Sequence, residues 1–306
     1  MKLDIFLLCT HQTSHVVVMK AVRIPLVLFY FFTVSNPQIF AQNSVDSISA
    51  KLVLENMFDS VYSLKNVRFD MYSKERLDGE LINSHSTGIM EYTPRRVFLR
   101  GFDAEGVLKN EVLYIEGANN NNALVSPNGF PYINLNLDPE GDIMRKNRHF
   151  TLLEAGGRFL VDMLKLGMNV YQKKEDLTKR LFIESQVGFY KITITNFDYG
   201  YQSYKVLEGE DSRSVARKLG VPEYKMVELN NAIDSYEDVT PGQILQVPNF
   251  YGEKVELLLR KDDLIPMEVR IYDDLGLYAE YVYQVFDTNL KLPNNTFKSE
   301  NPAYTF

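Results

Sequence analysis

Tryptophan is absent from the 306 residues, cysteine occurs once and histidine four times. A single cysteine cannot make a disulfide framework, and so few Cys and His leave no basis for a zinc site built on them. Positive charge is not in excess either: 33 Lys and Arg stand against 40 Asp and Glu, a net of −7. A chain this acidic, with no long basic run, lacks the electrostatic footprint of a nucleic-acid-binding protein. No apolar run reaches the roughly 20 residues that a membrane-crossing helix needs. Catalytic signatures are missing too, with no Gly-rich phosphate loop, Gly-x-Ser-x-Gly elbow or His-Glu-x-x-His pair. Asp262-Asp263 and Asp273-Asp274 fall at expected turns. Neighbouring strand residues point to opposite faces, so neither pair reads as a glycosidase acid/base couple. His149 follows Arg145, Lys146 and Arg148 and reads as the solvated start of a helix rather than a general base. The expectation is a non-enzymatic protein with no cofactor and no metal.

What is present is an ordinary globular composition, 45% hydrophobic and 24% charged, with enough apolar mass for a sizeable core. The longest apolar run, residues 24–34, is preceded by Lys20 and Arg23 and followed by Phe40-Ala41-Gln42. A positive flank, a short apolar core and a small exit residue make a secretory signal peptide. Residues 1–42 are read as that leader, with Met19 as the true start and cleavage after Ala41 or Gln42. The mature chain then carries 30 basic and 39 acidic residues, a net of −9, and keeps only His85 and His149. Cys9 lies upstream of the apolar run, so it cannot be a lipid-modified cysteine. The expected location is periplasmic or secreted, with no lipid or transmembrane anchor.

Along the mature chain the apolar period changes. Val45, Ile48, Leu52, Phe58 and Val61 are spaced mostly three or four apart, which predicts an amphipathic helix over 44–64. From Val67 the pattern alternates, and short strand-like segments follow at 86–92, 96–102, 111–116, 123–126 and 132–137. Turn pairs such as Asp78-Gly79 and Glu105-Gly106 separate them, which predicts an antiparallel meander. Helical spacing returns over 151–168, with Thr151 and Glu154 as a capping box and Gly156-Gly157 inside the helix. Strands resume at 181–185, 188–196, 254–260, 267–272 and 277–286. About ten strands and two main helices predict an α+β fold, a large curved antiparallel sheet with helices on its concave face.

Residues 204–248 interrupt this pattern with a β-α-α-β order. They resemble a LysM domain. Tyr204, Val206, Gly209, Val215, Ala216, Gly220, Val221, Met226, Asn230, Gly242, Gln243, Leu245, Val247 and Pro248 stand in register with the family pattern, while Glu210-Asp211-Ser212 stands where Asp-Thr-Leu is usual. The resemblance implies a shallow groove for peptidoglycan or another N-acetylglucosamine polymer, at Gly209, Glu210, Asp211, Asn231, Ala232 and Ile233. A purely structural module is the alternative. The two outer strands of such a unit pair antiparallel, so its ends emerge about 5 Å apart and fit a host hairpin turn.

The flanking parts, 43–203 and 249–306, read as one split domain. The run Tyr92-Thr93-Pro94 before Arg96-Val97-Phe98-Leu99 and the turn Asn136-Leu137-Asp138-Pro139 are among its features. With them go His149 before Glu154-Ala155-Gly156, the strand Pro266-Met267-Glu268-Val269-Arg270, and the closing Asn301-Pro302-Ala303-Tyr304-Thr305-Phe306. Together they resemble family 1571 of the domains of unknown function, whose layout is similar to the LolA/LolB lipoprotein carriers. That layout implies a half-barrel with an apolar cavity for a lipid or lipoprotein acyl chain, lined here by Phe159, Leu160, Met163 and Leu164. The alternative is a structural or interaction protein of the envelope, with a filled core and a LysM docking module.

Overall fold

The alternating stretches become strands. In order the elements are α1 (Asn43–Ser63), β1 (Asn66–Leu77), β2 (Glu80–Tyr92), β3 (Arg95–Phe102), β4 (Leu108–Ile115), β5 (Ala123–Pro127) and β6 (Leu135–Leu137). Next come α2 (Asp142–Arg145), α3 (Arg158–Lys173), α4 (Leu177–Arg180), β7 (Leu181–Gln186) and β8 (Phe189–Thr195). The chain then runs through β9 (Tyr201–Lys205), α5 (Ser212–Leu219), α6 (Glu223–Leu229) and β10 (Ile244–Pro248) to β11 (Lys254–Arg260), β12 (Pro266–Asp273) and β13 (Gly276–Thr288). This computed structural model describes residues 43–306 apart from 131, 147, 174–176, 232, 234, 235 and 237. The leader expected over 1–42 lies outside the described residues.

Among the described residues, eleven strands form one antiparallel sheet in the order β6-β5-β4-β3-β2-β1-β13-β12-β11-β8-β7. Pairing of β1 with β13 joins the N-terminal meander to the C-terminal one. On α1, Ala50, Leu54, Met57, Phe58 and Val61 are buried, and they share one apolar core with Val67, Phe69, Ile192, Leu257 and Ile271 of the sheet. Val161, Leu164 and Met168 of α3 join the same core, so both helices cover one face. The opposite face of β3 and β4 carries a smaller cluster. There the C-terminal Tyr304 stacks on Phe98 at 3.8 Å and the Thr305 backbone N–H donates to the buried Glu111 at 2.5 Å.

The expected single helix over 151–168 does not form. A 3-10 turn at Leu152–Glu154 is followed by Gly156 and Gly157 at φ +93° and +87°, and α3 starts only at Arg158. Left-handed φ is open to glycine and strained for other residues. A Cβ on Gly156 would also collide with Met90 and sit 2.9 Å from Tyr92 Oη, and the Tyr92 hydroxyl donates to the Gly156 carbonyl. The glycine pair is therefore a break that lets the chain turn against β2.

Between β8 and β11, which pair with each other, lies the insert. Among the described residues its β9 and β10 pair only with each other, outside the large sheet. Val206, Val215, Ala216, Val221, Met226, Ile233, Val239, Leu245 and Val247 form its own core. Gly220 ends α5 in the left-handed conformation, φ +69°, with its N–H bonded to the Ala216 carbonyl. Asn230 fastens α6 to β10: its amide donates to the Met226 and Gln246 carbonyls at 2.6 and 2.8 Å and accepts from the Gln246 N–H at 2.8 Å.

Candidate functional site

The sheet and α3 do not close on each other. Between them is a cavity of about 630 Å³. Its floor is apolar, with Phe69 and Met71 from β1, Leu99 from β3, Val112 from β4 and Tyr283 and Phe286 from β13. Its roof is the strap from residue 138 to the start of α3, which contributes Met144, Phe150 and Leu152, and then Phe159 and Leu160. Of the four residues expected to line a cavity, Phe159 and Leu160 do. Met163 and Leu164, one turn further on, are buried at 5% and 9% exposure away from that lining, and Leu164 belongs to the packed core. The strap residues and the sheet floor were not foreseen. The alternation of the strands is visible in the sequence, but which of their faces is left unfilled is not, and nothing in residues 138–150 marks a roof.

Glu75 lies in the lining as a buried, hydrogen-bonded carboxylate. The Tyr281 hydroxyl donates to Glu75 at 2.6 Å, and the same carboxylate oxygen accepts the His149 backbone N–H at 3.0 Å. Burial holds the Tyr281 hydroxyl well above its usual pKa. His149 itself is not at a solvated helix start, as its charged neighbours suggested. It is 5% exposed, stacked between Tyr278 at 4.2 Å and Tyr224 of the insert at 4.9 Å. Its Nε2 faces the Arg76 carbonyl at 2.9 Å and is the protonated nitrogen of a neutral ring. Burial lowers its pKa, against a smaller opposing pull from Glu75.

The insert supplies one side of that burial. Its α6 sits on the β1–β2 and β12–β13 turns: the Tyr224 hydroxyl accepts the Asp78 N–H at 2.8 Å and Lys225 Nζ lies 3.1 Å from Asp273. Asp273 also pairs with Arg76, and all three side chains are nearly inaccessible. A second cluster joins the insert to the strap. Arg145 pairs with Glu223 at 2.9 Å under the ring of Tyr236, Arg213 with Glu140 at 3.0 Å, and Arg217 with Glu140 and Glu154 at 3.4 Å each. Asp273, read from the sequence as turn chemistry, does bond the Leu275 N–H at 2.9 Å but is chiefly a buried ion-pair partner.

The residues implied as a sugar groove are placed as follows. Gly209 is an exposed turn at φ +78°. Glu210 accepts from Lys218 at 2.6 Å and from the Leu207 N–H at 2.9 Å, the Tyr204 hydroxyl donates to its carboxylate at 2.8 and 2.7 Å from the two oxygens, and the Lys218 contact leads in holding its carboxyl down at about 2. Asp211 caps α5 by accepting the Ser214 N–H at 2.7 Å. Asn231 is exposed, Ile233 belongs to the insert's core, and Ala232 lies outside the described residues. The two loops are adjacent, since the Ser212 hydroxyl donates to the Tyr236 carbonyl at 2.8 Å. Both first-loop carboxylates are engaged within the insert.

No protein-family model and no curated protein matches the chain. Among solved structures, a crystal structure of MucB is similar at 11% identity and a TM-score of 0.39, over 82% of this chain and 62% of that one. This chain thus spans less than two thirds of that protein's length. The lipoprotein LppX of Mycobacterium tuberculosis is similar at 10% identity over 80% and 99% of the two chains, with a TM-score of 0.35. A LolA superfamily protein from Nitrosomonas europaea is similar at 10% identity over 81% and 96%, with a TM-score of 0.22. With identities this low and every TM-score under 0.5, none of these assigns the chain an activity. Among the described residues, no group of three or more His, Cys, Asp or Glu is arranged to hold a metal, and no helix is long and apolar enough to cross a membrane.

Proposed function

We propose that the chain is an exported, non-enzymatic envelope protein that holds the apolar chain of a lipid or lipoprotein between its sheet and α3. The observation that carries this reading is the cavity of about 630 Å³ with its mainly apolar floor. Small-molecule sites are roughly 300–1,000 Å³, whereas packed interiors leave few voids larger than a water molecule. A filled-core structural protein is therefore the weaker reading. The apolar run at 24–34 behind Lys20 and Arg23 supports export.

The same proposal divides the mature chain into a split LolA-like host, 43–203 with 249–306, and a LysM-like unit, 204–248. The second supports docking to peptidoglycan or another N-acetylglucosamine polymer through the exposed Gly209 and Asn231. Engagement of Glu210 and Asp211 inside the unit leaves few other polar groups for a sugar.

Two measurements test the proposal. Gently purified protein should release a lipid on solvent extraction and take up a fluorescent fatty acid. Leu160→Trp, which fills the cavity from α3, should cut uptake about tenfold while the circular dichroism spectrum stays unchanged. No extracted lipid together with no uptake overturns the carrier reading. Separately, the protein should pellet with purified peptidoglycan and Asn231→Trp should weaken this. Pelleting that the substitution leaves untouched removes the groove.

A further inference from the structure

The strap over the cavity carries Arg145, Lys146 and Arg148 within four residues, and the structure separates them. Arg145 turns away into the insert, where Glu223 and the Tyr236 ring take it up. Lys146 and Arg148 line the cavity instead, Lys146 exposed and Arg148 half-buried, so both stand at its opening. Among the described residues neither side chain has a hydrogen-bond or ion-pair partner. The other two cations of the lining are paired, Arg100 with Glu111 at 2.7 Å and Lys109 with Asp103 at 3.3 Å. The two carboxylates of the lining are also occupied. Glu75 takes the Tyr281 hydroxyl and the His149 N–H, and Glu154 takes the Thr151 N–H at 2.9 Å and Arg217. An acidic molecule therefore presents two uncompensated positive charges where its apolar cavity meets water.

We propose that Lys146 and Arg148 form a head-group subsite, so that the cavity takes the tail of an anionic amphiphile whose head is a carboxylate or a phosphate. This rests on the reading of the cavity as an acyl-chain site and adds the chemistry of the other end of the ligand. Two side-chain cations on one short turn suit such a head, because hydrogen bonds between charged groups are about twice as strong as neutral ones. The turn is held for the purpose from behind. The Arg148 N–H donates to the Arg145 carbonyl at 2.9 Å, while the Arg145 guanidinium is fixed on Glu223. A neutral lipid would fill the same floor but leave both cations unpaired.

The test uses the full chain with Nile red as reporter of the cavity, displaced by laurate, by dodecyl phosphate and by uncharged monolaurin, all below their micelle concentrations. Inorganic phosphate without a tail is the fourth arm. At low salt one or both charged amphiphiles should displace the dye at about a tenfold lower concentration than monolaurin, and the comparison of laurate with phosphate names the head. Lys146→Glu with Arg148→Glu should remove this preference, read within the variant as the ratio of displacement by the charged amphiphiles to displacement by monolaurin. Lys146→Gln with Arg148→Gln, which keeps the surface polar, should weaken the preference in the same direction. Equal displacement by charged and neutral amphiphiles in the unmodified protein overturns the head-group subsite while the carrier reading stands. Displacement by inorganic phosphate alone overturns the part assigned to the tail. Failure of the dye and of every amphiphile to bind overturns the cavity reading, and the subsite with it.

Discussion

Arg145 and Arg148 are three residues apart on one strap and meet opposite surroundings. Arg145 is sealed between host and insert, with a carboxylate and an aromatic ring as partners. Arg148 looks into the cavity without a partner among the described residues. The sealed region is a place where charge holds two parts of the chain in register. The open region is a place where charge is left for something else. The difference teaches that charge counts say little by themselves. An ion that is buried and paired is a structural commitment, whereas an unpaired ion at an apolar opening is available for binding.

The sealed region should be the easier to break. Asp273→Ala would leave Arg76 and Lys225 buried without their shared carboxylate, and losing one partner of a buried pair costs about 3–5 kcal/mol. The expected outcome is a large drop in the urea midpoint. Lys51 pairs with Glu55 at 3.7 Å on the exposed side of α1, and a drop for Asp273→Ala no larger than that of Lys51→Ala would show that the junction is not holding the parts together.

Next in size is the break before α3. Gly156→Ala forces a left-handed residue against Met90 and Tyr92, for a loss of about 2–3 kcal/mol. Gly157→Ala has a comparable φ, but its nearest neighbour would be Val61 Cγ1 at 3.6 Å, so backbone strain alone acts and the loss should be smaller. Urea denaturation of the two variants side by side checks the order, and equal losses would remove close packing as the reason for Gly156.

Much of this architecture is legible in the sequence. Strands alternate because one face is buried, so that period is written in the chain. On α1 the stripe is only partly legible: Phe58 and Val61 are buried, but Leu52 is 57% exposed, and Ala50, Leu54 and Met57 enter the core instead. Between β8 and β11, Val206, Val215, Ala216, Val221, Met226, Leu245 and Val247 are most of a separate apolar core. The break at Gly156-Gly157 was not legible, because glycine within helical spacing looks alike whether it is tolerated or required. Nor was the junction. Lys225, Asp273 and Arg76 are far apart in sequence, and no local period records that they will be buried together. His149 was misread for the same reason, since the rings that cover it come from β13 and from the insert. On α3 the spacing identified an apolar face correctly but could not say that Phe159 and Leu160 border empty space while Leu164 enters solid packing.

His149 ties the sealed region to pH. Its folded-state pKa lies below the ordinary value of 6.5, through burial above all, with Glu75, Glu228 and Arg76 as the charged groups around it. The unfolded chain therefore binds more protons as pH falls through about 6.5, and the contribution of the neutral ring is complete above that pH and is lost below it. Urea midpoints taken at pH 7.5 and 5.5 should decline on the acid side. His149→Phe keeps the stack between Tyr224 and Tyr278 but cannot be protonated, so its decline should be shallower. Equal slopes for the two proteins would assign the pH dependence to the carboxylates.

The open region should give the smallest stability change. Lys146→Gln with Arg148→Gln removes two charges, but neither side chain makes a contact that folding depends on among the described residues. Surface substitutions of this kind usually shift stability by no more than about 0.5 kcal/mol. Removing two like charges from one short turn also relieves some mutual repulsion, so any shift should be toward greater stability and should shrink in salt. A loss above about 1 kcal/mol in the urea midpoint would mean that these cations are paired in solution, and the contrast with Arg145 would no longer hold. A neutral or slightly positive change would separate binding from folding at this opening, because charge that the folded chain does not need is what a charged ligand can use.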